Sequence, residues 1–226
     1  MKIFSEIKSL IQFLKFINKD YSPCRIYQIL EFQKMNLNKK TIEFGVDSYN
    51  ESFTSFKKKN DKNSYFSNIS NYNKKNYIKI NLQKKNKIKK KFDNIIIFNV
   101  LEHIYDERFA IKELKKILKK NGKIIISTPF IYRYHQAPED YKRYTLPYFE
   151  KLLKEHNFKI IKKEYLGEGP LIASYSLIFH YIKKIPLISY PIIIIFFIID
   201  KLLSLFQKTN IKQFYPIAIL IVAKKI

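Results

Sequence analysis

The sequence predicts an α/β fold built on an open, mostly parallel β-sheet with helices on both faces. Short apolar runs alternate with helical patterns from residue 41 onward, as expected when strands and helices follow each other along the chain. Two of these runs, at 94–98 and 123–127, are rich in Ile, which is typical of strands covered on both faces. A chain of 226 residues is long enough to bury one sizeable core.

The first 40 residues are predicted to form a helical preface. Apolar residues recur there at helical spacing: Ile3, Ile7, Leu10, Ile11, Leu14 and Ile17. Charged residues interrupt this segment throughout, so we expect an amphipathic helix and not a signal peptide. Ser22-Pro23 begins a second helical stretch, which ends at the turn-like residues 36–38.

Seven apolar runs bounded by polar segments are the predicted strands: residues 41–44, 65–67, 77–80, 94–98, 123–127, 158–165 and 217–223. Between the fourth and fifth runs, a helical pattern around Leu114 ends at Asn121-Gly122, which predicts a strand–helix–strand unit. Thr145 is the predicted N-cap of a further helix that ends near Asn157.

The segment 185–206 is the most apolar part of the chain. Its charge-free run, residues 185–199, holds 15 residues and two prolines, which is shorter than the roughly 20 residues that a spanning helix needs. Lysines at 183, 184, 201 and 208 flank the segment. Two alternatives stay open: a helix lying on an anionic membrane surface, or a buried insertion that caps the core.

Charge and cysteine content narrow the class of protein. The net charge is +24, but the lysines are spread along the chain without the aromatic interleaving of a single-strand binder, which argues against specific nucleic-acid binding. Cys24 is the only cysteine, which excludes an intrachain disulfide and fits a reducing cytosol. No metal site is predicted, because His103 and His135 follow different strands and no metal-ligand spacing is present.

Ligands of open α/β sheets bind beyond the carboxyl ends of the strands, so the loops after the strands carry the candidate site. The relevant loops begin with Glu43-Phe44-Gly45-Val46-Asp47 after the first strand and Asn99-Val100-Leu101-Glu102-His103 after the fourth. A third begins at Thr128 after the fifth strand and contains His135, Asp140 and Arg143.

The segment FDNIIIFNVLEHIYDERFAIKELKKILKKNGKIIISTPF, residues 92–130, resembles the centre of a class I S-adenosylmethionine-dependent methyltransferase of the type 11 group. HQAPEDYKRYT, residues 135–145, resembles a segment of members found in cell-surface polysaccharide pathways. The resemblance implies a Rossmann-like sheet of seven strands, six parallel and one antiparallel, with S-adenosylmethionine bound across its carboxyl edge. We therefore expect one domain with four parts: a helical preface at 1–40, a cofactor-binding core at 41–165, an apolar helical insertion at 170–212 and the last strand at 215–225.

The sequence departs from this family at the glycine loop and at two strand ends. Of the pattern acidic-x-Gly-x-Gly-x-Gly only Glu43 and Gly45 remain, and Asp47 stands where the second glycine belongs. Asn68 replaces the acid that binds the ribose hydroxyls, and Asn81 replaces the aspartate near the adenine, each of which should cost about 1 kcal/mol of binding free energy or more. The cofactor-binding residues that the resemblance implies are Glu43, Gly45, Val46, Asp47, Asn68, Asn81, Leu82, Asn99, Val100, Leu101 and His103.

Methyl transfer requires orientation and, for some acceptors, a base. We expect His135 to be the base, Asp140 to orient its ring, and Arg143 to hold a phosphate or carboxylate of a sugar-linked substrate. The alternative is that these three residues only tie down their loop. Glu102 and His103 are expected to be structural residues of the turn.

The predicted function is methylation of an oxygen, with a nitrogen as the second choice, on a small molecule or a surface-glycan precursor by a cytoplasmic enzyme at the inner face of the membrane. A catalytically inactive methyltransferase-like subunit that binds a partner is the main alternative. An RNA methyltransferase is supported by the basic charge alone. The oligomeric state stays open.

Overall fold

The computed structural model describes residues 2–57, 62–70, 74–136, 138–206 and 210–226, with side-chain burial from Ser9 onward. Ala137 and Lys208, which belong to sequence patterns named above, lie outside the described residues. The chain divides into two compact units. The first comprises Met1–Glu31, Pro129–Arg133 and Tyr165–Ala218, and the second Phe32–Thr128, Tyr134–Glu164 and Ile219–Ile226. The prediction of a single domain stays a prediction.

The second unit carries the sheet, with the last residues of two strands and the first residue of another assigned to the first unit. All seven predicted strands are confirmed: β1 Thr41–Phe44, β2 Ser64–Asn68, β3 Tyr77–Lys79, β4 Phe92–Phe98, β5 Leu118–Pro129, β6 Phe158–Leu166 and β7 Ala218–Lys225. Their order across the sheet is β3-β2-β1-β4-β5-β7-β6. The chain therefore builds outward in one direction from β1 and in the other from β4, which makes the space between them the topological switch point.

Strand directions agree with the predicted fold class. β1 pairs in parallel with β2 and β4, and Phe44 at its end lies opposite Ser67 and Ile97. Hydrogen bonds connect Ser127 to Ile219 and Phe130 to Ile217, so numbering rises along β5 while it falls along its partner. β7 is thus the one strand that runs antiparallel to its neighbours. A Rossmann-like, mostly parallel sheet with one antiparallel strand is confirmed.

Helices α3 Glu107–Ile117 and α4 Leu146–Glu155 belong to the second unit. The predicted N-cap of α4 is confirmed, because the Thr145 side chain accepts a hydrogen bond from the backbone N–H of Tyr148. The predicted end of α3 at Asn121-Gly122 is wrong: the helix ends at Ile117. Leu118 is instead buried in the sheet opposite Phe92, so burial in a strand outweighs the turn signal that follows. The core of this unit is formed by side chains from the central strands and both helices: Ile95, Ile96, Ile124, Ile126, Leu114 and Phe149.

The first unit is mainly helical. Both predicted N-terminal helices are confirmed as α1 Lys2–Ile17 and α2 Pro23–Gln33, of which residues 23–31 belong to this unit, and α5 Pro170–Ile182 and α6 Pro186–Phe206 follow later in the chain. The length argument against spanning is wrong, because α6 has 21 residues and rises about 31 Å. The helix α6 continues through Asp200 and Lys201 because the charged side chains of these two residues have partners in the protein. Among the described residues, α6 is the one helix with the length and composition to cross a membrane.

Candidate active site

A cleft of about 620 Å³ lies at the carboxyl ends of β1 to β4, at the topological switch point. Eight of the eleven predicted cofactor residues line it: Gly45, Asp47, Asn68, Asn81, Leu82, Asn99, Val100 and His103. A second cleft of about 520 Å³ includes Thr41 and Ser64, the first residues of β1 and β2, and so lies toward the opposite edge of the sheet. The position of the first cleft is the one that open α/β sheets use for ligands.

Gly45 is the residue that turns the chain out of β1 into the cleft. Its φ is +74°, in the left-handed region that glycine adopts without steric cost. A Cβ atom at this position would lie 2.6 Å from Cγ2 of Val100, which is far inside van der Waals contact. The single retained glycine of the loop therefore occupies the position where the backbone of β1 approaches the turn after β4 most closely.

Three predicted cofactor residues, Glu43, Val46 and Leu101, are buried and do not line the cleft. The Glu43 carboxylate accepts hydrogen bonds from the backbone N–H groups of Phe53 and Thr54 at 2.7 and 2.9 Å, and from the Thr54 hydroxyl at 2.7 Å. These bonds tie the segment after the glycine loop to β1. Glu43 therefore contributes to the site indirectly, because its hydrogen bonds fix the path of the loop that follows β1.

Asp47 and Asn68 meet across the cleft at the ends of β1 and β2. The Asn68 amide nitrogen donates a hydrogen bond of 2.5 Å to Oδ1 of Asp47, and its oxygen accepts one of 2.6 Å from the Ile69 backbone N–H. Asn68 thus uses its side chain to hold the Asp47 carboxylate at the end of β2. The Asp47 carboxylate therefore lies at the end of β2, although Asn68, the last residue of that strand, is neutral.

The cleft is also lined by Asn81, Leu82 and Asn99. The Asn81 side-chain oxygen accepts a hydrogen bond of 2.8 Å from the backbone N–H of Gln83, which fixes the turn after β3. Asn99 has a φ of +55°, a conformation that asparagine tolerates better than most residues. Its backbone N–H donates to the carbonyl of Ser127 on β5, so the turn that carries Val100 and His103 is anchored to the sheet.

His103 lines the cleft and has a fixed orientation. Its Nδ1 lies 2.5 Å from the carbonyl oxygen of Glu139, and because a carbonyl only accepts, Nδ1 carries the proton and Nε2 the lone pair. Nε2 lies 3.9 Å from Oε1 of Glu102. His103 was expected to close the turn and to contact the cofactor; it lines the cleft, and the contact with the cofactor stays a prediction.

Glu102 was expected to be a structural residue of the turn, and its carboxyl group lies away from solvent. Its side chain is fully buried, and neither carboxylate oxygen has a hydrogen-bond partner among the described residues. Burial raises the pKa of this carboxyl group from its ordinary value to about 8. At neutral pH Glu102 is therefore mostly protonated and uncharged beside His103.

His135, Asp140 and Arg143 come together as the sequence predicted. Nδ1 of His135 lies 3.3 Å from Oδ2 of Asp140, and the backbone N–H of His135 donates to the same oxygen at 2.9 Å. Both terminal nitrogens of Arg143 donate to the Asp140 carboxylate, which lowers the pKa of Asp140 to about 2. The His135 ring packs edge-on against His103, with ring centroids 4.9 Å apart.

The two histidines that follow different strands are neighbours in the structure. One ligand-capable atom from each of Glu102, His103 and His135 lies within 4.8 Å of the others. The expectation of no metal stays a prediction.

Eight further residues line the cleft without being among the predicted site residues: Phe44, Ser67, Ile69, Ser70, Ile80, Gln83, Ile104 and Pro138. Each lies within two residues of a predicted one, so the strand-end positions carried a usable signal. Pro138 arrives with the loop after β5, two residues before Asp140.

Comparison with known proteins gives consistent results. A family model described as a methyltransferase domain matches residues 12–163. An 80-residue segment is 36% identical to a ubiquinone biosynthesis O-methyltransferase of Pelagibacter ubique, covering 35% of this chain but only a quarter of that protein.

Two solved structures show the same fold. The S-adenosylmethionine-dependent methyltransferase from Mesorhizobium loti matches 89% of this chain and 98% of its own, with a TM-score of 0.53 and 10% identity. The [4+2]-cyclase SpnF matches 89% of this chain and 80% of its own, with a TM-score of 0.53 and 11% identity. At these identities the likeness concerns the fold, and a cyclase among the neighbours illustrates that one fold can host different reactions.

Proposed function

Because the chain belongs to the methyltransferase domain family, whose model matches about two thirds of it, we propose that it transfers a methyl group from S-adenosylmethionine to an oxygen of a small molecule or surface-glycan precursor. The observation that carries this proposal is the geometry of Gly45, which opens the switch-point cleft between β1 and Val100.

The residues of the cleft fit the cofactor. Asp47 offers a carboxylate to the ribose hydroxyls, oriented by the Asn68 amide at 2.5 Å, and a charged acceptor of this kind forms hydrogen bonds about twice as strong as a neutral one. Asp47 thus supplies the negative charge that the family's acid would carry at the position of Asn68. Leu82 and Ile80 offer apolar surface to the adenine.

Bound S-adenosylmethionine supplies an electrophilic methyl group. The protein holds the acceptor in line and removes its proton, and His103 is the residue placed for the second task. Its Nδ1 is tied to the Glu139 carbonyl, so Nε2 is the atom that accepts the proton.

His135 and Asp140 act as positioning residues in this scheme. Asp140 holds both the ring and the backbone of His135, and the His135 ring packs on His103. Arg143 uses both terminal nitrogens on Asp140, which favours loop anchoring over the contact with a substrate phosphate that the sequence suggested.

The first test is calorimetric titration of the full chain with S-adenosylmethionine and S-adenosylhomocysteine, followed by a screen of hydroxylated acceptors for methyl transfer. We expect His103→Asn to reduce kcat about 10²- to 10⁴-fold and to leave S-adenosylhomocysteine affinity within about threefold. His156→Asn is the matched control, because Nδ1 of His156 is also held by a backbone carbonyl, that of Leu152 at 2.8 Å, on α4.

The alternative is a catalytically inactive subunit, which the loss of two glycines from the loop favours. No binding of either ligand up to millimolar concentration would support it and refute the enzyme. Size-exclusion chromatography with light scattering, applied with and without a partner, distinguishes it further, since an active stable monomer is incompatible with an obligate subunit.

A further inference from the structure

The exposed side of α6 is mostly aliphatic along five turns of the helix. Six exposed residues on one side of the helix define what we call the apolar face: Leu187, Ile194, Ile195, Ile198, Leu202 and Leu205. Leu187 is 90% exposed and Leu205 is 74% exposed. A face of this size is unusual on a water-soluble protein, where large exposed apolar patches mark interaction sites.

The buried side of α6 contains the polar groups of the helix. Ser189, Ile193, Phe197 and Asp200 are the buried residues of α6, at a spacing of three to four that places them opposite the apolar face. The Asp200 carboxylate accepts hydrogen bonds from the backbone N–H groups of Leu171 and Ile172 at 3.1 and 2.9 Å. The Ser189 hydroxyl pairs with that of Tyr175 at 2.7 Å.

Helix α6 therefore departs from the usual pattern. A surface helix of a globular protein turns its apolar stripe inward and its polar residues to water, whereas α6 exposes aliphatic side chains and buries Ser189 and Asp200 beside Ile193 and Phe197. Polar side chains directed inward and aliphatic ones directed outward are the arrangement of helices that face hydrocarbon. Helix α5 is mixed: Tyr175 and Ser176 are buried together with Ile172, Ala173 and Phe179, while Leu177 and Ile178 are exposed.

Two properties of the apolar face favour a lipid bilayer over a protein as its occupant. Protein interfaces contain a polar rim and on the order of one hydrogen bond per 100–200 Å², and Leu and Ile side chains offer no hydrogen-bonding group. Lys184 is exposed at the turn between α5 and α6, next to Lys183, which pairs with Asp20. The chain has a net charge of +24, which suits an anionic surface.

We propose that the apolar face of α6 docks on an anionic lipid bilayer, with the helix lying in the plane of the membrane. The bonds of Asp200 and Ser189 to α5 keep the opposite side of α6 on its own unit, so only one side enters the lipid. This inference is independent of the methyl acceptor and would place the enzyme at a membrane surface.

The test is flotation of the full chain with vesicles of phosphatidylcholine alone and of phosphatidylcholine with one quarter phosphatidylglycerol. We expect flotation with the anionic vesicles and several-fold weaker flotation with the neutral ones. Ile195→Gln should lower the partition coefficient about fivefold, and the triple substitution Leu187→Gln, Ile195→Gln and Leu202→Gln about a hundredfold, from the apolar area withdrawn from lipid.

The matched control is Ile161→Gln on β6. Ile161 is 50% exposed and Ile195 is 52% exposed, so both variants remove the same exposed aliphatic surface, and only Ile195 lies on the apolar face. Circular dichroism establishes that each variant keeps its helix content.

The proposal is overturned if the intact protein remains unbound with both vesicle types, or if the triple variant floats as well as the native chain. It is also overturned if light scattering shows a dimer of the native chain, the triple variant is a monomer, and no form of the protein floats. The apolar face would then bind a second copy of the chain.

Discussion

Replacing Gly45 by alanine tests the geometry on which the cofactor site depends. Alanine at a φ of +74° costs about 1–2 kcal/mol, and its Cβ, 2.6 Å from Cγ2 of Val100, must displace that side chain by roughly 1 Å to reach ordinary contact. We expect a loss of about 2–3 kcal/mol of unfolding free energy, which lowers the melting temperature by roughly 5–10 °C for a chain of this size. The displaced Val100 enters the cleft, so S-adenosylhomocysteine should bind at least about tenfold more weakly.

A double variant separates the two causes. Gly45→Ala combined with Val100→Ala removes the clashing methyl group and leaves the backbone strain, so part of the affinity should return while part of the stability loss remains. Gly122→Ala is the control, because its Cβ would lie 2.8 Å from Cδ1 of Leu118 toward the amino end of β5. It should destabilise the protein and leave ligand affinity unchanged. Native affinity and native melting temperature in Gly45→Ala would refute the reasoning.

Three further predictions concern carboxyl groups. Asp47→Asn should weaken S-adenosylhomocysteine binding about tenfold with little change in melting temperature, since it removes the charge that Asn68 holds; isothermal titration measures this, and an unchanged affinity would exclude a ribose contact. Glu43→Gln should lower the unfolding free energy by about 2–3 kcal/mol in urea, because a buried charged acceptor of three hydrogen bonds is lost. The Glu102 pKa, raised to about 8 by burial, means that folding takes up a proton between the unfolded pKa near 4.3 and pH 8. Stability should then fall by up to about 1.4 kcal/mol per pH unit across that window, and Glu102→Gln should flatten the dependence; an equal slope in both proteins would contradict the assignment.

The pH dependence of Asp140 has the opposite sign. Arg143 holds the pKa of Asp140 at about 2 in the folded chain, below the ordinary value of about 3.9. Its contribution to stability is therefore complete above the unfolded pKa and is lost as the pH falls toward 2. The acid limb of the stability profile thus reports on Asp140 in the loop after β5, and the fall of stability at higher pH reports on Glu102 in the turn after β4.

Much of the fold follows from local pattern. Runs of Ile such as 95–97 and 124–126 indicate buried strands because strands covered on both faces carry apolar residues at successive positions. The strand-end positions then indicate the cleft, because parallel strands bring their carboxyl ends to one edge. The predicted end of α3 was wrong because it rested on local sequence alone. Leu118 is placed in the sheet by its partner Phe92, which is 26 residues away in the chain and adjacent in the sheet.

The sequence by itself determined the strands, the helices and the strand ends that surround the cleft, because each depends on residues close together in the chain. Only the tertiary structure decided the roles of side chains whose partners are distant. It turned Glu43 inward to the loop, placed the Asp47 carboxylate on Asn68, and left Glu102 buried beside His103. It also turned the polar side of α6 inward, because Asp200 finds backbone N–H groups on α5 that no spacing within α6 reveals.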